Sequence, residues 1–135
     1  MKTKELKIKY DKIYEYQDLS NLVDQILKDR GVKNPRLSFS ILSSEEVDSD
    51  SEDNWFLKSP NLESQIPVIK GKVRFFGNEF WGVKLQRSKI YNNPTWKDII
   101  FEANRRAIGD HVFLESIEYK QTVNGVRFYD FHYGS

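Results

Sequence analysis

A chain of 135 residues with 39% hydrophobic, 14% aromatic and 30% charged residues holds enough apolar mass for one core, which excludes wholesale disorder. Lys+Arg 21 against Asp+Glu 20 leave a formal charge of +1, which argues against a whole-chain polyelectrolyte role. With no cysteine, disulfides, thiolate metal sites and a cysteine nucleophile are excluded. The start, MKTKELKIKYDK, is basic without an apolar stretch, and no run approaches the roughly 18 apolar residues of a membrane span. The expectation is one cytoplasmic domain over 1–135, with no membrane partner.

Residues 4–16 alternate, with Leu6, Ile8 and Tyr10 on one parity and Lys7 and Lys9 between them, the pattern of a half-buried strand. Asp18 or Ser20 then caps a predicted helix to about Arg30. Its apolar positions Leu19, Leu22, Val23, Ile26 and Leu27 recur at helical spacing, and Gly31 supplies the stop. Arg36–Leu42 alternates again and predicts a second strand.

Residues 43–54 break the pattern, with six acids (Glu45, Glu46, Asp48, Asp50, Glu52 and Asp53) and no periodic apolar set. Like charges at this density repel and solvate, so a mobile acidic loop is expected. Asp48-x-Asp50-x-Glu52 resembles the start of a calcium loop, but the required glycine and downstream glutamate are missing. The loop could instead mask a basic face or engage a basic partner. Its serines Ser43, Ser44, Ser49 and Ser51 would suit an acid-directed kinase. After it, Trp55, Phe56 and Leu57 are expected to re-enter the core, and Pro60-Asn61 marks a turn.

Residues 67–91 predict a hairpin. A three-residue loop, Gly77-Asn78-Glu79, pairs Phe76 with Phe80 and sorts the faces best. One face then carries Ile69, Val73, Phe75, Trp81, Val83 and Leu85. The other carries Lys70, Lys72, Arg74, Phe76, Phe80 and Lys84. Residues 66–107 hold nine lysines and arginines against three acids, a local excess of six positive charges. Charge that holds phosphates beside rings that stack on bases is how sheet faces bind single-stranded nucleic acid.

Asn92-Asn93-Pro94 interrupts the chain. Thr95 then opens a second predicted helix, with Asp98 at the capping-box offset and a stripe of Trp96, Ile99, Ile100, Ala103 and Ala107. The final segment, His111 to Tyr133, flanks Asn124-Gly125, the strongest short hairpin signal available. A two-residue turn there pairs Val123 with Val126, Gln121 with Phe128, Tyr119 with Asp130 and Ile117 with His132. One face gathers Phe113, Glu115, Ile117, Tyr119, Val126, Phe128, Asp130 and His132. The other holds Leu114, Tyr129, Phe131 and Tyr133 among Ser116, Glu118, Lys120 and Arg127.

The order is strand, helix, strand, acidic loop, hairpin, helix, hairpin. It predicts an α+β domain with an antiparallel sheet of about six strands and two helices on one face. Three functional readings follow, and no complete catalytic motif stands in the chain, so the weight lies with a non-enzyme. The leading reading is a protein-binding or self-assembly module using the aromatic face of Leu114, Tyr129, Phe131 and Tyr133, because such groups favour interfaces. The second is single-stranded nucleic-acid binding by Lys70, Lys72, Arg74, Phe76, Phe80 and Lys84. The third is a small enzyme in which Glu115 and Asp130 flank His132, an arrangement that favours the imidazolium and suits proton transfer. No cofactor is implied. His111 follows Asp110, but in this register it lies about six residues, roughly 20 Å, from the level of His132, which argues against a shared metal.

Overall fold

The computed structural model describes residues 5–39, 46–47, 56–77 and 87–134. The chain is α+β. Among the described residues the order is β1 (Lys12–Glu15), α1 (Tyr16–Asp29), β2 (Ser38–Phe39), β3 (Glu46–Val47), β4 (Phe56–Ser59), β5 (Lys72–Gly77), β6 (Tyr91–Asn92), α2 (Trp96–Arg106), β7 (Phe113–Val123) and β8 (Val126–Gly134).

The helices follow from the apolar spacing. Leu19, Val23, Ile26 and Leu27 of α1 are buried, as are Trp96, Ile99, Ile100 and Ala103 of α2. Helix α1 begins at Tyr16, ahead of both expected caps. It ends in a Schellman turn, in which Gly31 N–H donates to the Lys28 carbonyl and Val32 N–H to the Leu27 carbonyl. Gly31 takes φ +86°, the left-handed conformation this ending requires. At the start of α2 the Asp98 carboxylate accepts the Thr95 N–H at 3.0 Å, as the capping offset predicts.

The strands form two sheets rather than one, and the larger is mixed rather than antiparallel. The small sheet runs β1-β4-β3, all antiparallel. Its third strand lies inside the stretch expected to be an acidic loop; the rest of 43–54 is outside the described residues. The large sheet runs β2-β7-β8-β5-β6, with β2 parallel to β7 and β5 parallel to β8. Residues 5–6 extend its β7 edge, where Leu6 N–H donates to the Ile117 carbonyl.

The expected middle hairpin has a different register. Val73 lies opposite Tyr91, not Val83. Ser88 sets this alignment: its N–H donates to the Phe75 carbonyl, and its hydroxyl accepts from the Phe75 N–H. The expected loop-side partners Phe80, Trp81, Val83, Lys84 and Leu85 fall outside the described residues. The alternation of β5 itself holds, with Val73 and Phe75 buried and Lys72, Arg74 and Phe76 on the other face.

Both helices cover one face of the large sheet, and the core lies between. Phe75 sits at its centre, stacked on Phe131 at 5.2 Å and in contact with Tyr91 and Tyr129. The second expected hairpin forms as predicted at its tip. Asn124 (φ +51°) and Gly125 (φ +79°) both take the left-handed conformation of the two-residue turn that matches strand twist.

Candidate functional site

The face of the large sheet away from the helices carries the charged side chains that sequence singled out. Which of them meet is decided by two bulges in β7, between Leu114 and Ser116 and between Tyr119 and Gln121. In a regular strand Leu114 would face away from Ile117 and Tyr119. The bulge at Glu115 turns all three toward the helices, opposite Tyr133, Phe131 and Tyr129. The second bulge restores the register dictated by the Asn124-Gly125 turn, so Gln121 still pairs with Phe128.

The predicted acid–base trio is therefore regrouped. His132 lies opposite Ser116, and Asp130 opposite Glu118. The imidazole Nε2 of His132 is 2.7 Å from Glu118 Oε2, and the Lys120 ammonium is 3.2 Å from Glu118 Oε1. The hydrogen bond from His132, then that from Lys120, hold the Glu118 carboxyl below its ordinary range. Glu115, exposed at the bulge, instead lies beside the backbone of Gly134. Asp130 is buried, with its carboxylate against Gly77 of β5. His111 pairs with Asp110 at 3.6 Å at the start of β7. No group of three or more His, Asp or Glu among the described residues could hold a metal ion.

The same regrouping removes the expected protein interface. Leu114, Tyr129 and Phe131 are buried in the core, and Tyr133 packs against it with its hydroxyl donating to the Ala103 carbonyl at 2.6 Å. These aromatics are covered by the helices within one chain, so they present no sheet face to a partner. The exposed large apolar groups lie elsewhere. Ile13 and Phe56, for example, stand diagonally on the outer face of the small sheet.

The basic set fares differently. Lys72, Arg74 and Phe76 share the helix-distal face with Phe128 of β8, which lies opposite Arg74. Phe76 and Phe128 meet edge-on at 6.1 Å, and the Arg87 guanidinium lies 5.3 Å from the Phe128 ring centre. Arg74 Nε donates to the Ser88 carbonyl at 2.8 Å, which fixes its stem beside Arg87. Lys89 does not join this face: its ammonium lies 5.0 Å from the ring centre of Tyr91, which points toward the helices. Lys70 and Lys72 are exposed at the start of β5. Among the described residues, none of Lys70, Lys72, Arg74 and Arg87 forms an ion pair with a carboxylate.

Sequence reasoning missed Arg87 because it drew β5's partner strand in the wrong register. Counting it in the local charge excess, without placing it, was the available signal. It missed Glu118 for a different reason. The parity conflict between Leu114 and Ile117 already implied a bulge, and a bulge there changes which glutamate meets His132.

Comparison with family models, curated proteins and solved structures finds no match to this chain.

Proposed function

We propose that this chain binds single-stranded nucleic acid on the helix-distal face of β5 and β8. The observation that carries the reading is the convergence of Arg74 and Arg87 on the Phe76–Phe128 pair, flanked by Lys70 and Lys72 and, among the described residues, without carboxylate partners. Unpaired cations hold phosphates through charge, and binding releases the counterions condensed on the strand. Phe76 is half-buried and edge-on to Phe128, so its ring is held in place while part of it stays accessible. A base can stack on such a ring, and on the plane of an arginine, whatever its sequence. The near-neutral total charge gives the chain as a whole little pull on a polyanion, so the reading rests on this local patch.

The test is fluorescence anisotropy with labelled oligo(dT) and oligo(U) about 12 nucleotides long, within the usual single-strand site sizes. Some four phosphates contacted would give a log–log salt slope of about −3. Lys72→Glu, on an exposed side chain, and Arg87→Glu should each weaken binding about tenfold, a loss of about 1.4 kcal/mol. A duplex of equal length should bind less tightly, because its bases are already stacked. Absence of binding at about 50 mM salt, or affinity unchanged by both reversals, refutes the reading.

A further inference from the structure

A cleft on another part of the molecule has a composition of its own. It lies between residues 7–11 and the loop of residues 61–68, and it holds about 150 Å³. Its apolar lining is Ile8, Ile66, Pro67 and Val68, with Trp96 reaching it from the first turn of α2. Ile66 is 74% exposed, more than any other large hydrophobic side chain among the described residues. An apolar group left this open beside a cavity gains most from a ligand that covers it.

The polar lining is Lys7, Lys9, Asp11, Asn61 and Ser64. Asp11, the one acid of the set, is already engaged. Its Oδ1 accepts the Asn61 N–H at 3.0 Å, and its other oxygen faces the Lys9 ammonium at 4.0 Å. Asn61 Oδ1 accepts from the Glu63 N–H, and the Ser64 hydroxyl oxygen accepts from the Ile66 N–H. These bonds use up acceptors. They leave the Asn61 amide N–H groups, the Ser64 hydroxyl proton and the Lys7 ammonium as donors. Lys7 has no ion pair among the described residues. The same bonds fix the loop in advance, helped by the Val68 N–H, which donates to the Pro94 carbonyl at 2.8 Å.

We infer that this cleft binds a small organic acid, one planar ring bearing a carboxylate. The ring lies against Ile8, Ile66 and Trp96, and the carboxylate faces Lys7, Asn61 and Ser64. The size agrees, since an engineered apolar cavity of about 150 Å³ takes up benzene. The donor excess selects an anion over a neutral or cationic ring of the same shape.

Benzoate, benzamide and benzylamine are the probes, titrated into the full chain and followed by two-dimensional NMR. Benzoate should shift the Ile8, Ile66 and Val68 methyls and the Trp96 indole with a Kd of about 1 mM. Benzamide should bind at least fivefold more weakly, and benzylamine should leave these signals in place. Lys7→Ala should weaken benzoate by about fivefold while the spectrum elsewhere stays unchanged, because Lys7 is exposed and has no ion pair among the described residues. Ser64→Ala gives a second variant that keeps the charge and should also weaken benzoate. Equal binding of the three probes overturns the inference. So does benzoate shifting only signals away from the cleft, or no shift at about ten times the expected Kd.

Discussion

Two glutamates on opposite faces of the large sheet each hold two basic side chains. Glu102, on α2, faces the core. Its carboxylate accepts from Tyr91 Oη at 2.5 Å and from Arg106 Nη1 at 2.6 Å, with Arg105 at 3.4 Å. Glu118, on β7, faces away from the helices and holds His132 and Lys120. The side chain of Glu102 is 1% exposed and that of Arg106 is 5% exposed, against 23% for Glu118 and 44% for His132. The chemistry is similar and the surroundings are not. Charges taken out of water must find every partner or the fold fails, whereas charges at the surface are screened and free to exchange partners.

The buried set accordingly behaves as a clamp. Arg106 Nη2 reaches across to the Phe75 carbonyl at 3.3 Å, and its Nη1 also takes the Glu102 carbonyl. Helix α2, β5 and β6 are thereby joined through one carboxylate and one guanidinium. Arg106→Met should produce the largest effect of any change to either cluster, because it leaves Glu102 charged and buried. The expected loss is about 3–5 kcal/mol. For a chain of this length that is a fall in Tm of roughly 10–20 °C, read by thermal denaturation. A loss below about 1 kcal/mol would mean that water reaches Glu102 and that the two faces do not differ in kind.

Tyr91→Phe is the milder cut at the same clamp. It removes one hydrogen bond to a charged acceptor, for which about 1.5–3 kcal/mol is typical, and leaves the arginine in place. Burial, then the bond to Glu102, pushes the Tyr91 phenol well above its ordinary pKa, so it remains a donor wherever the fold is stable. Urea denaturation should show a lower midpoint with an unchanged m-value, since the exposed surface stays the same. A stability equal to that of the parent chain would place the work of the clamp on Arg106 alone.

The two faces were legible to different degrees in the sequence. Helical periodicity located the apolar stripe of both helices, because a 3.6-residue repeat over three or four turns has few competing readings, but not the buried polar residues Glu102, Asn104 and Arg106. In β5 the period-two pattern was equally informative, and Lys72, Arg74 and Phe76 lie on the expected side. Pairing was the weak point. Alternation within a strand says which face a residue takes but not which strand lies beside it. The parallel contact of β5 with β8 joins residues more than fifty positions apart with no local turn to announce it. Strand β7 failed for a sharper reason: strict alternation placed Leu114 opposite in face to Ile117, and both are core. Burial prevailed over regular pleating, a bulge resulted, and Glu118 replaced Glu115 beside His132. The Glu102–Arg106 pair carried an i,i+4 spacing that sequence could show, but that spacing is ordinary on exposed helices and does not announce burial.

The smallest effect belongs to the exposed cluster, and its pH dependence has a definite sign. Glu118 has a lower pKa in the folded chain than in the unfolded one, because His132 and Lys120 favour its charged form. The unfolded chain therefore binds its proton first as the pH falls. The stabilisation from Glu118 is complete above the ordinary glutamate value of about 4.3 and is lost as pH drops through the lower folded value. Glu118→Gln removes that contribution at neutral pH and leaves nothing to lose in acid. Its cost should lie within about 1 kcal/mol, since the group is partly solvated. Stability curves of the two chains should differ near neutrality and converge below about pH 4. About 1 M salt should shrink the difference, because the pair is open to counterions. A gap that persists in acid would show that Glu118 acts through packing rather than charge. In that case the contrast between the two faces would reduce to a difference in burial alone.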